Sequence, residues 1–193
     1  ELANALTQDY NALRHSILPN IMQIFSLNTH HEYPQNIFEV GTVFRKDNDA
    51  ETGVLEETNL CAAMCTKDVD FTRIKQVLDY ALKSLGKECK IVEAKHNSFI
   101  PGRFGKVMRD AEEVGLIGEI HPQIIENFAL GMPVSAFELN LSRIFSLMKS
   151  DRDEYTQMDD LFVEKKILGK YPNLIMRTLK IKSVKVRKQA PEL

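Results

Sequence analysis

Phe38-Glu39-Val40-Gly41-Thr42-Val43-Phe44-Arg45 is the stretch on which the reading of the fold turns. Taken as residues 37–45, it reads as a strand, because β-branched and aromatic side chains suit a pleated, half-buried surface. Residues 46–57 form a charged loop, and residues 59–66 are apolar and fit a returning strand. Strand, loop and strand predict a hairpin.

Toward the N-terminus, Thr7 and Asp9 can cap a helix beginning near Tyr10. Leu13, Ile17, Ile21, Ile24 and Phe25 recur at helical spacing, and Leu18 and Leu27 widen the stripe. Pro19 either kinks this helix or opens a second one, since its ring removes a donor and clashes one turn back. Each fully buried apolar side chain is worth about 1.5–3 kcal/mol, so a stripe this wide wants a partner surface. That surface is the chain's own sheet or another subunit.

Toward the C-terminus, residues 28–35 are a polar break. Residues 71–85 predict an amphipathic helix with Phe71, Ile74, Val77, Leu78, Ala81, Leu82 and Leu85 on one face, stopped by Gly86. Residues 90–94 read as a short strand, 98–105 (SFIPGRFG) as a turn, 106–108 as strand and 116–120 as a buried strand. Pro122 opens a helix to position 128, residues 135–141 form a strand, and 142–149 form a helix. Helices alternating with hairpin-joined strands predict an α+β fold, a mostly antiparallel sheet flanked by helices. Residues 1–149 make its core, and residues 150–193 are a basic C-terminal extension.

Length, charge and cysteines bound the function. The chain has 193 residues, 44% hydrophobic and 27% charged, an ordinary globular balance. Its net charge of -2 hides an asymmetry: residues 164–193 carry nine Lys/Arg against two Glu, a net +7, and the remainder carries -9. Nucleic acid is therefore a partner to test for the tail rather than for the body. No apolar run approaches the roughly 18–20 residues that span a bilayer. The N-terminus lacks the pattern of a signal peptide. Three cysteines, Cys61, Cys65 and Cys89, suggest no disulfide framework and fit a reducing cytoplasm. The chain opens on Glu rather than Met, as an excised fragment would.

Most candidate motifs reduce to structure. His30-His31-Glu32 reads as a polar loop, since adjacent histidines are expected to point apart and no third metal ligand follows at a useful spacing. Cys61 and Cys65 share a strand face about 13 Å apart, too far for a shared zinc or a disulfide, so buried free thiols are expected. His121 before Pro122 is a helix-entry residue, with no nucleophile beside it. No G-x-S-x-G, P-loop or G-x-G-x-x-G is present.

One constellation stands out. The stretch 38–45 with its loop and returning strand resembles motif 2 of class II aminoacyl-tRNA synthetases. In active members an arginine here grips phosphate and carboxylate oxygens of ATP or the adenylate, work suited to a planar five-donor group. Arg45 holds that position, and Asp47 sits where such enzymes usually carry Glu. Phe137-Glu138-Leu139-Asn140-Leu141-Ser142-Arg143 resembles motif 3. Active members carry glycines at the positions of Glu138 and Asn140, so that the strand lies flat under adenine, and a second arginine at that of Arg143. A carboxylate about 4 Å from a triphosphate charge, at an effective dielectric near 20, costs on the order of 4 kcal/mol. That is roughly a thousandfold in affinity.

Further residues sharpen the resemblance. Asn4-Ala5-Leu6-Thr7, Tyr10, Leu13-Arg14-His15-Ser16-Ile17-Leu18-Pro19, Asn28 and Phe38-Glu39-Val40-Gly41 come first. Phe99-Ile100-Pro101-Gly102-Arg103, Gly115-Leu116-Ile117-Gly118-Glu119-Ile120-His121-Pro122 and Phe137-Glu138-Leu139 follow. In this order they resemble the catalytic-like domain of phenylalanyl-tRNA synthetase β subunits. His31-Glu32-Tyr33-Pro34-Gln35 leans to the archaeal type. The resemblance implies a class II synthetase-like fold and a non-catalytic domain that packs against the α subunit in an assembly of two α and two β chains. ATP, Mg and tRNA then belong to the holoenzyme, and this chain holds no cofactor, metal or catalytic residue. Arg45, Asp47, Glu138, Asn140 and Arg143 become vestigial nucleotide-site positions, and Leu13, Ile17, Ile21, Ile24 and Phe25 a subunit interface. Without that partner the isolated fragment would self-associate. Two other readings stay open at this level. One is a freestanding class II-like paralogue that binds ATP or an adenylate. The other is a tRNA-binding module acting through Lys180, Lys182, Lys185 and Arg187, which alternate with Leu179, Ile181, Val184 and Val186 as on a strand.

Overall fold

A computed structural model describes residues 12–149 of the chain. Six strands form one sheet: β1 (Gln35–Lys46), β2 (Val54–Cys65), β3 (Lys90–Glu93), β4 (Phe99–Arg109), β5 (Glu112–Ile120) and β6 (Val134–Asn140). Their spatial order is β1-β2-β6-β5-β4-β3, with every neighbouring pair antiparallel. The helices α1 (Leu18–Leu27), α2 (Phe71–Ser84), α3 (Pro122–Asn127) and α4 (Leu141–Lys149) lie on its two faces.

Side-chain alternation divides the core. Along β2, Cys61, Ala63 and Cys65 face the side of α1, where they meet Ile17, Ile21, Met22 and Phe25. Leu60 and Ala62 face the other side, with Ile74, Leu78 and Leu82 of α2 and Leu141 and Ile144 of α4. A strand covered on both faces reads as continuously buried, and all seven residues of β6 are. Helix α2 starts at Asp70, whose carboxylate accepts from Arg73 N at 2.7 Å. It ends at Gly86, which takes a φ of +69°. Asp70→Ala is expected to cost about 1 kcal/mol, measured as the loss in a urea denaturation series.

Three local expectations need correction. Residues 12–17 are not helical, and helix begins at Leu18 with Pro19 in its first turn. Of the expected turn at 98–105 only Ser98 is in one: β4 runs through 99–105, with a shift in register between Phe99 and Phe104 against β5. The rings of His30 and His31 do not point apart; their centroids lie 4.2 Å from each other. Thr7, Asp9 and Tyr10, and the extension at 150–193 with Lys180, Lys182, Lys185 and Arg187, lie outside the described residues.

Candidate functional site

The α1 side of β2 and β6 carries a polar group at one end of the sheet. Register places Asn59 opposite Asn140, and Cys61 opposite Glu138. Opposed residues of an antiparallel pair share a face, so Asn59, Asn140 and Glu138 stand side by side. Glu57 precedes Asn59 by two residues, on the same face.

Glu138 is 4% exposed, yet its carboxylate is fully engaged. It accepts from Ser16 Oγ at 2.7 Å, Leu18 N at 3.1 Å and Asn59 Nδ2 at 2.6 Å, while Ile17 N lies 3.1 Å from both its oxygens. The first backbone donors of a helix have no partner within it. Ile17, at the N-cap, supplies no side-chain cap to α1. Glu138 supplies it from across the sheet, where the helix dipole favours a negative charge. Position 138 therefore does more than set a carboxylate in a nucleotide's path: it holds residues 16–18 down on the sheet.

Arg14 fastens the same strap further back. Its carbonyl accepts from Phe44 N at 2.8 Å, its Nε donates to Thr42 O at 2.9 Å, and its Nη1 pairs with Glu39 at 2.6 Å. Gly41 leaves room for the guanidinium, for a methyl there would overlap Arg14 Nη2. The sequence segments around 14–18, 39–41 and 138 are thus one mechanical unit.

The two arginines are brought together by Glu57, for β2 begins at Val54 and takes in the end of the expected charged loop at 46–57. Glu57 lies within β2 and is 6% exposed. Arg45 Nε is 2.8 Å from one of its oxygens, and Arg143 Nε is 3.7 Å from the other. The Arg45 contact is short but poorly aligned for a hydrogen bond, so charge chiefly holds it. Arg143 also donates through Nη1 to Glu113 O at 3.1 Å. Asn140 accepts from Arg143 N at 2.8 Å and so caps α4. Asp47 joins none of these: its Oδ1 accepts from Asp49 N at 2.9 Å inside the hairpin turn.

The expected interface stripe divides. Ile17, Ile21 and Phe25 are at most 1% exposed and belong to the chain's own core. Leu13 and Ile24 stay open, 47% and 37% exposed, and Leu27 joins them at 65%. The surface left for a partner is correspondingly narrower than the five-residue stripe.

The remaining candidates are structural. Burial, then the nearby Glu138 and Glu39 carboxylates, push the Cys61 thiol well up, and burial raises Cys65 to about 11. Both are free and buried, and thiols so raised are poor nucleophiles. His121 Nδ1 accepts from Gln123 N at 3.2 Å, capping α3. Among the described residues no group of three or more His, Cys, Asp or Glu side chains is placed to hold a metal ion. No described helix is long and apolar enough to cross a membrane.

Known proteins place this arrangement. Residues 1–141 match the family described as phenylalanyl tRNA synthetase beta chain CLM domain. The phenylalanine–tRNA ligase beta subunit of Pyrococcus abyssi is 46% identical over 145 residues, 75% of this chain and 26% of its own length. That of Thermococcus onnurineus is 43% identical over 145 residues, again 75% of this chain and 25% of the relative. Methanocella arvoryzae supplies one 40% identical over 146 residues, with coverage of 75% and 26%. This chain thus spans about a quarter of the length of these relatives. Among solved structures, pyrrolysyl-tRNA synthetase from Desulfitobacterium hafniense superposes with a TM-score of 0.60 at 18% identity, covering 71% of this chain and 50% of that one. At that identity the likeness concerns the fold alone, which is class II synthetase-like. The chain belongs to the phenylalanyl-tRNA synthetase β-chain family, of the archaeal type, and corresponds to its CLM domain.

Proposed function

We propose that this chain is a non-catalytic part of a phenylalanine–tRNA ligase β subunit that packs against the catalytic α subunit and braces it. The enzyme, an assembly of two α and two β subunits, attaches phenylalanine to its tRNA in the cytoplasm. ATP and Mg serve the α subunit's site, and this chain binds neither.

The observation that carries the reading is the pairing of Arg45 and Arg143 with one nearly buried carboxylate, Glu57. An arginine that grips a phosphate must be free to turn toward it, and here both guanidiniums are drawn to one internal carboxylate, which offsets one of their two charges. Glu138, committed to the start of α1, supports the same reading. A rigid face that holds its own strap suits a scaffold. The exposed Leu13, Ile24 and Leu27 are the apolar surface that the α subunit would cover.

Co-expression with a phenylalanyl-tRNA synthetase α subunit tests this. A stable complex is expected, with phenylalanine-dependent pyrophosphate exchange that falls when this chain is omitted. No complex, together with exchange by this chain alone, would overturn the proposal. Contact between tRNA phosphates and the basic tail is a separate matter: deleting residues 164–193 should then weaken tRNA binding and reduce its salt dependence.

A further inference from the structure

An open sheet has two edge strands, and each offers unpaired N–H and C=O groups to any strand that reaches it. Here the edges are β3 and β1. β3 is four residues long and opens on Lys90, and shortness and lysine both blunt an edge. β1 is twelve residues long and pairs with β2 along its whole length without a break in register.

Successive residues of a strand aim their backbone groups to opposite sides. Phe44 N donates to Arg14 O and Thr42 O accepts from Arg14 Nε, so the even-numbered residues of β1 face away from β2. Arg14 closes the edge at 42–44. At Asn36, Phe38 and Val40 the outward N–H and C=O groups have no partner among the described residues. Neither proline nor lysine guards this part, Asn36-Ile37-Phe38-Glu39-Val40.

The order of side chains here suits a copy of itself. An antiparallel pair centred on Phe38 sets Phe38 against Phe38, Asn36 against Val40 and Ile37 against Glu39 of the other copy. The outward residues of the two strands then exchange about six hydrogen bonds. The two Phe38 rings make a cross-strand aromatic pair. Glu39 meets Ile37 rather than a second Glu39, and Arg14 already balances its charge at 2.6 Å. The dyad of such a pair is perpendicular to the sheet, so both α1 helices lie on one face. Because α1 packs on β1 and β2, the two helix axes come about three strand spacings apart, roughly 14 Å, and do not collide.

The exposed apolar side chains lie at the two ends of this edge. Leu13 precedes Arg14, at the Phe44 end. Ile24 and Leu27 belong to the end of α1 that Gln35 fastens, through Nε2 to Asn28 O at 2.9 Å. The dyad brings one end of the edge in each copy to the other end in its mate, and so brings Leu13 toward Ile24 and Leu27 of the second copy.

We propose that the open edge of β1 binds a second copy of this chain. The two β1 strands pair antiparallel about Phe38, and the two sheets become continuous. Leu13, Ile24 and Leu27 are also the surface proposed for the α subunit, so that subunit would compete, and the pairing belongs to the chain without it. The proposal does not rest on the bracing role, and its test contains no α subunit.

The test is sedimentation velocity on the full chain beside hydrogen exchange read amide by amide by NMR. Over about a hundredfold range of concentration a dimer should appear, with the Phe38 and Val40 amides exchanging about tenfold or more slower at the upper end. The Ile37 and Glu39 amides, which face β2, should be slow throughout. Val40→Pro removes an outward donor and spares the bonds to β2, at a place where an edge strand accepts proline, and should raise the dimer dissociation constant about tenfold or more. Should that variant not fold, Leu27→Glu on the exposed end of α1 should weaken the dimer in the same sense. A chain that stays monomeric with fast Phe38 and Val40 amides would overturn the proposal, as would a dimer that leaves those amides fast or survives both substitutions. Protection that is equal at every concentration would also overturn it, and would show that residues of the same chain outside 12–149 cover the edge.

Discussion

Glu138→Ala is expected to destabilise the domain by about 3–5 kcal/mol, the loss that follows when one partner of a buried, charge-assisted network is removed. The variant leaves Ser16 Oγ, Ile17 N, Leu18 N and Asn59 Nδ2 without their acceptor. Asn59 is buried, so water cannot readily replace the carboxylate there. Total stability of a domain is typically about 5–15 kcal/mol, so the variant should sit close to unfolding. Glu138→Gln should cost less, since it keeps the shape and one acceptor, but its NH₂ would confront donors that need an oxygen. Urea denaturation measures both, and hydrogen exchange at the Ile17 and Leu18 amides locates the damage. A loss below about 1 kcal/mol would show that the strap holds by packing alone.

Gly115→Ala is the second large effect. Gly115 of β5 lies opposite Leu139 of β6. A methyl at 115 would overlap the Glu138 carbonyl oxygen and approach Leu139 Cδ2 to 2.8 Å and Leu139 Cα to 3.1 Å. Two of those neighbours are backbone of a central strand, which moves only by shifting the sheet. Overpacking of this kind costs about 1–3 kcal/mol, and the upper end is expected because little can yield. The strand that would shift also carries the cap of α1. The double variant with Glu138→Ala should therefore lose less than the sum of the two single losses. Gly131→Ala is the control: nothing lies within 4 Å of the added carbon, and the change should stay within about 0.5 kcal/mol.

These effects explain which parts of the molecule could be read from the chain. The hairpin β1–β2, helix α2 and strand β6 announce themselves through local periodicity, and they fold as that periodicity implies. The strap at residues 12–17 does not. Leu13, Ile17 and Ile21 are spaced like a helix, but the segment before Leu18 is drawn onto β1 by Arg14 and onto β6 by Glu138. Those partners are 25 or more residues away, beyond any local pattern. The stretch at 98–105 misleads in the opposite sense. Pro101-Gly102 carries turn chemistry, yet the strand absorbs it as an irregularity in its pairing with β5.

The candidate site divides in the same way. Arg45 and Arg143 were legible because each sits in a stretch that resembles a synthetase motif. Glu57 was not, because its role arises from a register that sets it beside two arginines distant in sequence. A signal was nevertheless present. Glu57 and Asn59 are polar residues two apart at the start of an apolar strand, and they share the face that carries the site. Arg14, Ser16 and Gly41 belong to the stretches that carried the family resemblance, and the structure shows why they go together.

With both arginines drawn to Glu57 and Glu138 holding the strap, the proposed function requires that this face bind no nucleotide. Titration calorimetry of the chain with Mg–ATP tests it most directly. No saturable heat is predicted up to about 1 mM ATP, a binding free energy weaker than about -4 kcal/mol. A micromolar dissociation constant that Arg45→Ala abolishes would contradict the account and make Arg45 a working residue.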